Sequence, residues 1–169
     1  MSTPPTRPEG TAAPMGAGRF AINQLGPGHF ALAGVLDENA VLDSLLAGAV
    51  GGQLKLDLGA VSFINSLGVR QWIRLLGSAT AQNLAVELIS VSEPLVQQLN
   101  MIVAARGSAR ITSFFAPYAC DHCGAEQSMF IDVAAAHATI AAGAAPPQTC
   151  PECGQGMEFN DFPQRYFLF

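Results

Sequence analysis

Leu54-Lys55-Leu56-Asp57-Leu58, then Val61-Ser62-Phe63-Ile64, then Asn65-Ser66-Leu67-Gly68-Val69-Arg70-Gln71-Trp72 and onward to Ala81, is the stretch that decides the fold. Its first five residues alternate apolar and polar, the period of a half-buried strand. From Ser66 to Ala81 the period changes to that of a helix, with Val69, Trp72, Ile73, Leu76 and Thr80 along one face and Arg70, Arg74 and Ser78 along another. The apolar run 61–64 reads as the loop between them. On the N-terminal side, Phe20–Gln24 and His29–Ala33 read as strands joined by a turn at Leu25-Gly26-Pro27-Gly28, and Asp37–Ala47 as a helix stopped by Gly51-Gly52. On the C-terminal side, Leu84–Ser90 reads as a strand. Ser92 is placed to cap a helix carrying Pro94 in its first turn and Leu95, Leu99 and Ile102 on its buried face, and Arg110–Phe115 reads as a last strand. Two strands, then helices and strands in alternation, predict an α/β fold with a mixed sheet covered by helices.

Composition bounds what such a fold can do. The 169 residues are half hydrophobic and 12% charged, with a formal net charge of -5, so a core can be filled and no basic stripe is available to displace counterions from nucleic acid. The longest apolar stretch, Ala134–Ala145, is too short and too alanine-rich to insert in a membrane, and His137 interrupts it. No cationic, leucine-rich leader begins at Met1, which predicts a cytoplasmic protein. Residues 1–18, rich in Pro, Thr, Ala and Gly, read as a disordered tail.

The four cysteines carry the most specific chemistry. They form two pairs, Cys120-Asp121-His122-Cys123-Gly124 and Cys150-Pro151-Glu152-Cys153-Gly154, each able to make a tight knuckle whose two thiolates point at one ion. The 26 residues between the pairs exceed the usual spacing of about 15–20, and an alanine-rich insertion fills most of the gap. Cys120, Cys123, Cys150 and Cys153 are therefore read as the ligands of one structural zinc per chain, in a ribbon spanning 117–169. Disulfides or redox dithiols are the alternatives. Four thiolates leave no open position for a substrate, and His122 is not needed as a ligand. Beyond them, Met157–Phe159 and Arg165–Phe169 read as strands, and the aromatic end must be buried somewhere, against the ribbon, the sheet or a second copy in a homodimer.

Residues 19–116 resemble a STAS domain, the domain of sulfate-transporter cytoplasmic tails and anti-sigma-factor antagonists. The resemblance is carried by Phe30–Asp37, Leu54–Leu58, Val61–Val69, Val86–Ser92 and Leu95-Val96. Its most specific piece, Phe63-Ile64-Asn65-Ser66-Leu67-Gly68, is similar to the family's loop of two apolar residues followed by Asp-Ser-x-Gly. The resemblance implies a STAS-like mixed sheet followed by the zinc ribbon. It also implies that Ser66 matches the serine that a partner kinase, doubling as anti-sigma factor, phosphorylates in the antagonists. The free-standing regulators, signalling to transcription in bacteria, match better than the transporters. This chain departs from the pattern at Asn65, whose amide cannot supply the charge of the antagonists' aspartate.

The residues support a related reading by themselves. A serine opening a long helix is an N-cap candidate, and the same place welcomes a phosphate on exposed backbone N–H groups. Asn65 reads as a second cap or as a residue in an unusual backbone conformation. No set of acid, base and nucleophile and no glycine-rich phosphate loop is present. The function expected is a non-enzymatic phosphoprotein regulator that binds an anti-sigma-factor-like or kinase-like partner through Ile64, Asn65, Ser66, Leu67, Gly68 and Arg70. A nucleotide- or lipid-sensing domain and a nucleic-acid-binding ribbon are the alternatives. Against the latter, only one basic residue, Arg165, follows Cys120.

Overall fold

The computed structural model describes residues 18–168. The expected disordered tail therefore lies, apart from Gly18, outside the described residues. In chain order the elements are β1 (Ala21–Gly26), β2 (His29–Leu36), α1 (Asp43–Ala47), β3 (Gln53–Ile64), α2 (Ser66–Ala81), β4 (Ala85–Ile89), α3 (Glu93–Met101), α4 (Val103–Arg106), β5 (Arg110–Ile111), β6 (Ser113–Ala119), β7 (Glu126–Asp132), α5 (Val133–Ala141), β8 (Gln148–Thr149), β9 (Gly156–Phe159) and α6 (Pro163–Tyr166). The fold is mixed α/β, with two sheets and six helices among the described residues.

The first sheet runs β1-β2-β3-β4-β5. β1 pairs antiparallel with β2, and the other neighbours are parallel. Leu54, Leu56 and Leu58 point to one side and are fully buried, as the alternation requires. The second sheet, β7-β6-β9-β8, is antiparallel. β6 carries the chain from one sheet into the other, and Phe114, Ala116, Tyr118 and Cys120 along it belong to the same buried cluster as Leu56 and Trp72. Position 116/117 thus lies inside a strand.

Several expected elements change. Residues 61–64 are strand, not loop, because Val61, Phe63 and Ile64 pair with Gly34, Val35 and Leu36 of β2. The helix expected from Asp37 begins only at Asp43: the Asp37 carboxylate accepts the Asn39 N–H at 2.8 Å and holds a turn there. The strand expected over Arg110–Phe115 breaks at Thr112, β5 staying on the first sheet and β6 leaving it. Residues 165–168 are not a strand, and Phe169 lies outside the described residues. Pro163 opens the short α6, whose missing N–H costs nothing at that place, and Tyr166 and Phe167 fold back onto Phe114 and Phe159. On α2, Leu75 and Ala79 join Val69, Trp72 and Leu76 in the core, whereas Thr80 is exposed and returns its hydroxyl to the Leu76 carbonyl at 2.9 Å. No helix among the described residues is long and apolar enough to cross a membrane.

Candidate functional site

Two places gather chemistry. The first is the tip of the second sheet. β6 and β7 end in the Cys120–Gly124 knuckle, β8 and β9 in the Cys150–Gly154 knuckle, and the two have the same backbone. In the first, Gly124 N–H donates to the Cys120 carbonyl at 2.8 Å and Cys120 N–H to the Ala125 carbonyl at 2.8 Å. In the second, Gly154 N–H donates to Cys150 at 2.9 Å and Cys150 N–H to Gln155 at 2.7 Å. Each turn closes through a left-handed glycine, φ +74° at Gly124 and +73° at Gly154, which explains the shared C-x-x-C-G ending.

The knuckles bring four sulfurs together. Cys120 Sγ lies 3.5 Å from Cys153 Sγ, Cys123 Sγ lies 3.6 Å from Cys150 Sγ, and all four lie within 4.8 Å of one another. A disulfide needs about 2.05 Å, and all four cysteines are free. A tetrahedral ion about 2.3 Å from each sulfur would set them about 3.8 Å apart, so the donor set fits a metal with little adjustment. Cys120 and Cys150 are buried and Cys123 is exposed, so the sulfur cluster sits at the surface end of the core.

The surroundings favour the Cys120 thiolate over those of Cys123 and Cys153. The backbone N–H of Cys123, aimed at the Cys120 sulfur, holds that thiol down to about 7. At Cys123 the Ala125 N–H also favours the thiolate, but partial desolvation of the sulfur within an otherwise exposed residue and the three facing sulfurs outweigh it and hold the thiol up at about 12. The Gln155 N–H acts likewise at Cys153 and is likewise outweighed, leaving that thiol raised. Four thiolates at this spacing repel one another unless a cation sits among them, so binding a metal here releases protons. His122 is not among the clustered ligands, and His137 is exposed on α5, which is capped by the Asp132 carboxylate accepting from Ala135 N–H at 2.8 Å.

The second place is the junction of β3 and α2. Asn65, not Ser66, caps the helix: its side-chain oxygen accepts Gly68 N–H at 2.8 Å, and its amide donates to Glu38 at 3.2 Å. Ser66 is the first helical residue, exposed, and its hydroxyl makes no hydrogen bond among the described residues. Ile64, Gly68 and Val69 are buried and seat the turn, whereas Leu67 and Arg70 are exposed. Gly68 permits this seating, because a Cβ there would lie 1.9 Å from the Leu36 carbonyl oxygen. Phe63, at the end of β3, is 55% exposed and Leu67 40%, an apolar rim beside the free hydroxyl.

Two features escaped the sequence reading. Ser92 precedes α3 but makes no capping hydrogen bond, and its hydroxyl is buried without a partner among the described residues. Between β3, the start of α3 and β6 lies an open groove of about 380 Å³ lined by Ser62, Ser92, Phe115 and Ser128, residues too far apart in the chain for spacing to reveal it. The chain matches no protein-family model, no curated protein and no solved structure.

Proposed function

We propose that this chain is a non-enzymatic regulatory interaction module of the STAS type, resembling the anti-sigma-factor antagonists and extended by a structural zinc ribbon. It binds a regulatory protein through Ile64–Arg70, with Ser66 as phosphoacceptor. The observation that carries this reading is the division of labour at the start of α2: Asn65 caps the helix, and Ser66 is left exposed with a free hydroxyl. A serine retained as a cap would be engaged; this one is available to a kinase. A phosphate there gains from the helix dipole and leaves the fold intact while adding about -1.5 to -2 charge to the binding loop. Asn65 keeps the cap geometry that an aspartate would also give and lacks only its charge.

The ribbon reading rests on the two knuckles with matching hydrogen bonds and on four converging sulfurs. Zinc suits a closed shell of four thiolates that holds structure; iron has the same geometric preference, and metal analysis of the purified protein separates them. A nucleic-acid role for the ribbon is disfavoured because Arg165 is committed to Asp161 at 2.6 Å.

The test is affinity capture from native cells with wild type beside Ser66→Ala and Ser66→Glu, with the captured protein then titrated in purified form. Ser66→Ala should retain the partner and Ser66→Glu should weaken it at unchanged melting temperature. A purified partner indifferent to every substitution at Asn65, Ser66 and Arg70 would refute the assignment of the loop.

A further inference from the structure

The outer stripe of α2 is unlike the rest of this acidic chain. Ser66, Leu67, Arg70, Arg74, Gly77, Ser78 and Ala81 are all exposed. At 100° per residue they fall within about 120° of one another, so they form one strip along the helix. The strip carries two arginines and the helix carries no Asp or Glu, in a protein of net charge -5. Of the other described cations four are engaged: Lys55 and Arg110 share Glu87, Arg165 holds Asp161, and Arg106 donates to the Leu168 carbonyl, which leaves Arg19, ahead of β1, as the remaining unpaired one. Arg70 has no partner among the described residues, and Arg74 reaches only the Gln71 side chain there.

Gly77 supplies an independent observation. A glycine inside a helix is unfavourable relative to alanine, and it persists where something must come close. Nothing among the described residues does: a Cβ at Gly77 would meet no atom within 4 Å. At Gly68 and Gly48, by contrast, a Cβ would strike the Leu36 carbonyl and the Phe30 ring. The helix surface is open at Gly77, with no described residue against it, and Ser78 and Ala81 beside it keep the strip low.

We infer that this strip is a helix-docking surface for an acidic helix of a partner protein, whose carboxylates meet Arg70 and Arg74 and whose backbone approaches α2 at Gly77. A second copy of this chain fits poorly, because α2 has no Asp or Glu to pair with the arginines of its copy. The inference rests on the reading that the start of α2 binds a partner, and it extends that surface along the helix and names its chemistry.

The probe is a synthetic amphipathic helix as long as α2, with glutamates on its polar face and leucines and alanines on the other, beside a copy with every glutamate replaced by lysine. Backbone amide NMR of the metal-loaded full chain should show shifts with the glutamate peptide confined to the exposed positions of 66–81. Affinity should fall about tenfold or more in Arg70→Glu/Arg74→Glu, whose preference should swing to the lysine peptide. Gly77→Leu should lose the peptide while keeping the wild-type spectrum elsewhere. Absence of binding, shifts elsewhere, or self-association that Gly77→Leu abolishes would overturn the inference. If the natural partner's affinity depends on Ser66 and Leu67 but ignores the charge reversal and Gly77→Leu, the inference falls and the loop reading stands. Dependence on the arginines and Gly77 without dependence on Ser66 and Leu67 supports the helix strip and overturns the loop reading.

Discussion

The two glycines of α2 predict opposite outcomes for one substitution. Gly68→Ala places a methyl group 1.9 Å from the Leu36 carbonyl oxygen and 2.6 Å from its carbon. Both are backbone atoms in the ladder between β2 and β3, so relief requires either the helix or the strand to move. Overpacking of this kind costs about 1–3 kcal/mol, and a backbone obstacle puts it at the top of the range. Exchanging a helical glycine for alanine returns about 0.5–1 kcal/mol, leaving a net loss of about 2 kcal/mol. Gly77→Ala keeps the favourable term alone, since its Cβ meets nothing within 4 Å, and should gain about 0.5–1 kcal/mol. Urea melts of the metal-loaded proteins, compared at equal slope, should separate the two variants by about 2–3 kcal/mol. Equal stabilities would refute the docking of the first turn of α2 on the end of β2, and with it the argument that Gly77 is reserved for an outside partner.

Trp72, 1% exposed with its indole N–H on the Ala105 carbonyl at 2.7 Å, should cost about 3–5 kcal/mol on replacement by alanine, whereas Arg74→Ala should stay within about 0.5 kcal/mol; denaturant melts decide it. Asn65→Ala should destabilise by about 1 kcal/mol through loss of the Gly68 contact, and Ser66→Ala should be nearly neutral, the reverse of what a capping serine would give. Burial pushes Tyr118 up to about 12, and burial with the nearby Glu93 and Asp161 carboxylates also raises Tyr166, against about 10 in an unfolded chain. The folded state therefore holds these protons more tightly. Their contribution to stability is complete below about pH 10 and is lost as pH climbs through the folded values. Phenolate absorbance should appear together with unfolding, and two tyrosines titrating freely near 10 in folded protein would contradict their burial.

The legible part of the fold was what local periodicity encodes. Alternation in Leu54–Leu58 and the helical spacing from Val69 to Leu76 set β3 and α2, and the C-x-x-C-G pairs pointed to four cysteines that the fold brings together. What escaped depended on partners distant in sequence. Residues 61–64 carry no alternation that distinguishes strand from loop, and they become strand because β2 lies beside them. Serine and asparagine are nearly equal as caps, so only the geometry of Gly68 shows which of the adjacent residues takes the role. Arg165–Phe169 looked like a strand by its apolar content, but Pro163 and the docking of Tyr166, whose hydroxyl donates to the Phe115 carbonyl at 2.8 Å, impose a helical turn.

The metal's effect should be graded along β6, because one alternating face of that strand carries Phe114, Ala116, Tyr118 and Cys120 inward in succession. On the proposed reading the outer end depends on the ion. Cys120 is one of the four clustered sulfur donors proposed to hold it, and Tyr118, bonded to the Pro146 carbonyl at 2.7 Å, ties down the segment leading to β8 and the second knuckle. The inner end is held without it: Val91 N–H donates to Ser113 at 3.0 Å, Phe115 N–H returns to Val91 at 2.8 Å, and Phe114 packs against Tyr166 and Phe167. A structural zinc contributes about 10–16 kcal/mol of apparent folding free energy, far more than the short β8 and β9 can replace. Chelation, or Cys150→Ser, should therefore open amide exchange at the knuckles and through β8, β9 and the Cys120 end of β6, while amides of β2, β3 and β4 stay protected. Purified protein should carry one zinc per chain, and acidification should release it as protons compete for the thiolates. Uniform loss of protection across both sheets would show that the metal holds the α/β sheet as well. Unchanged protection after complete removal would show that the four sulfurs cluster for some reason other than a structural ion.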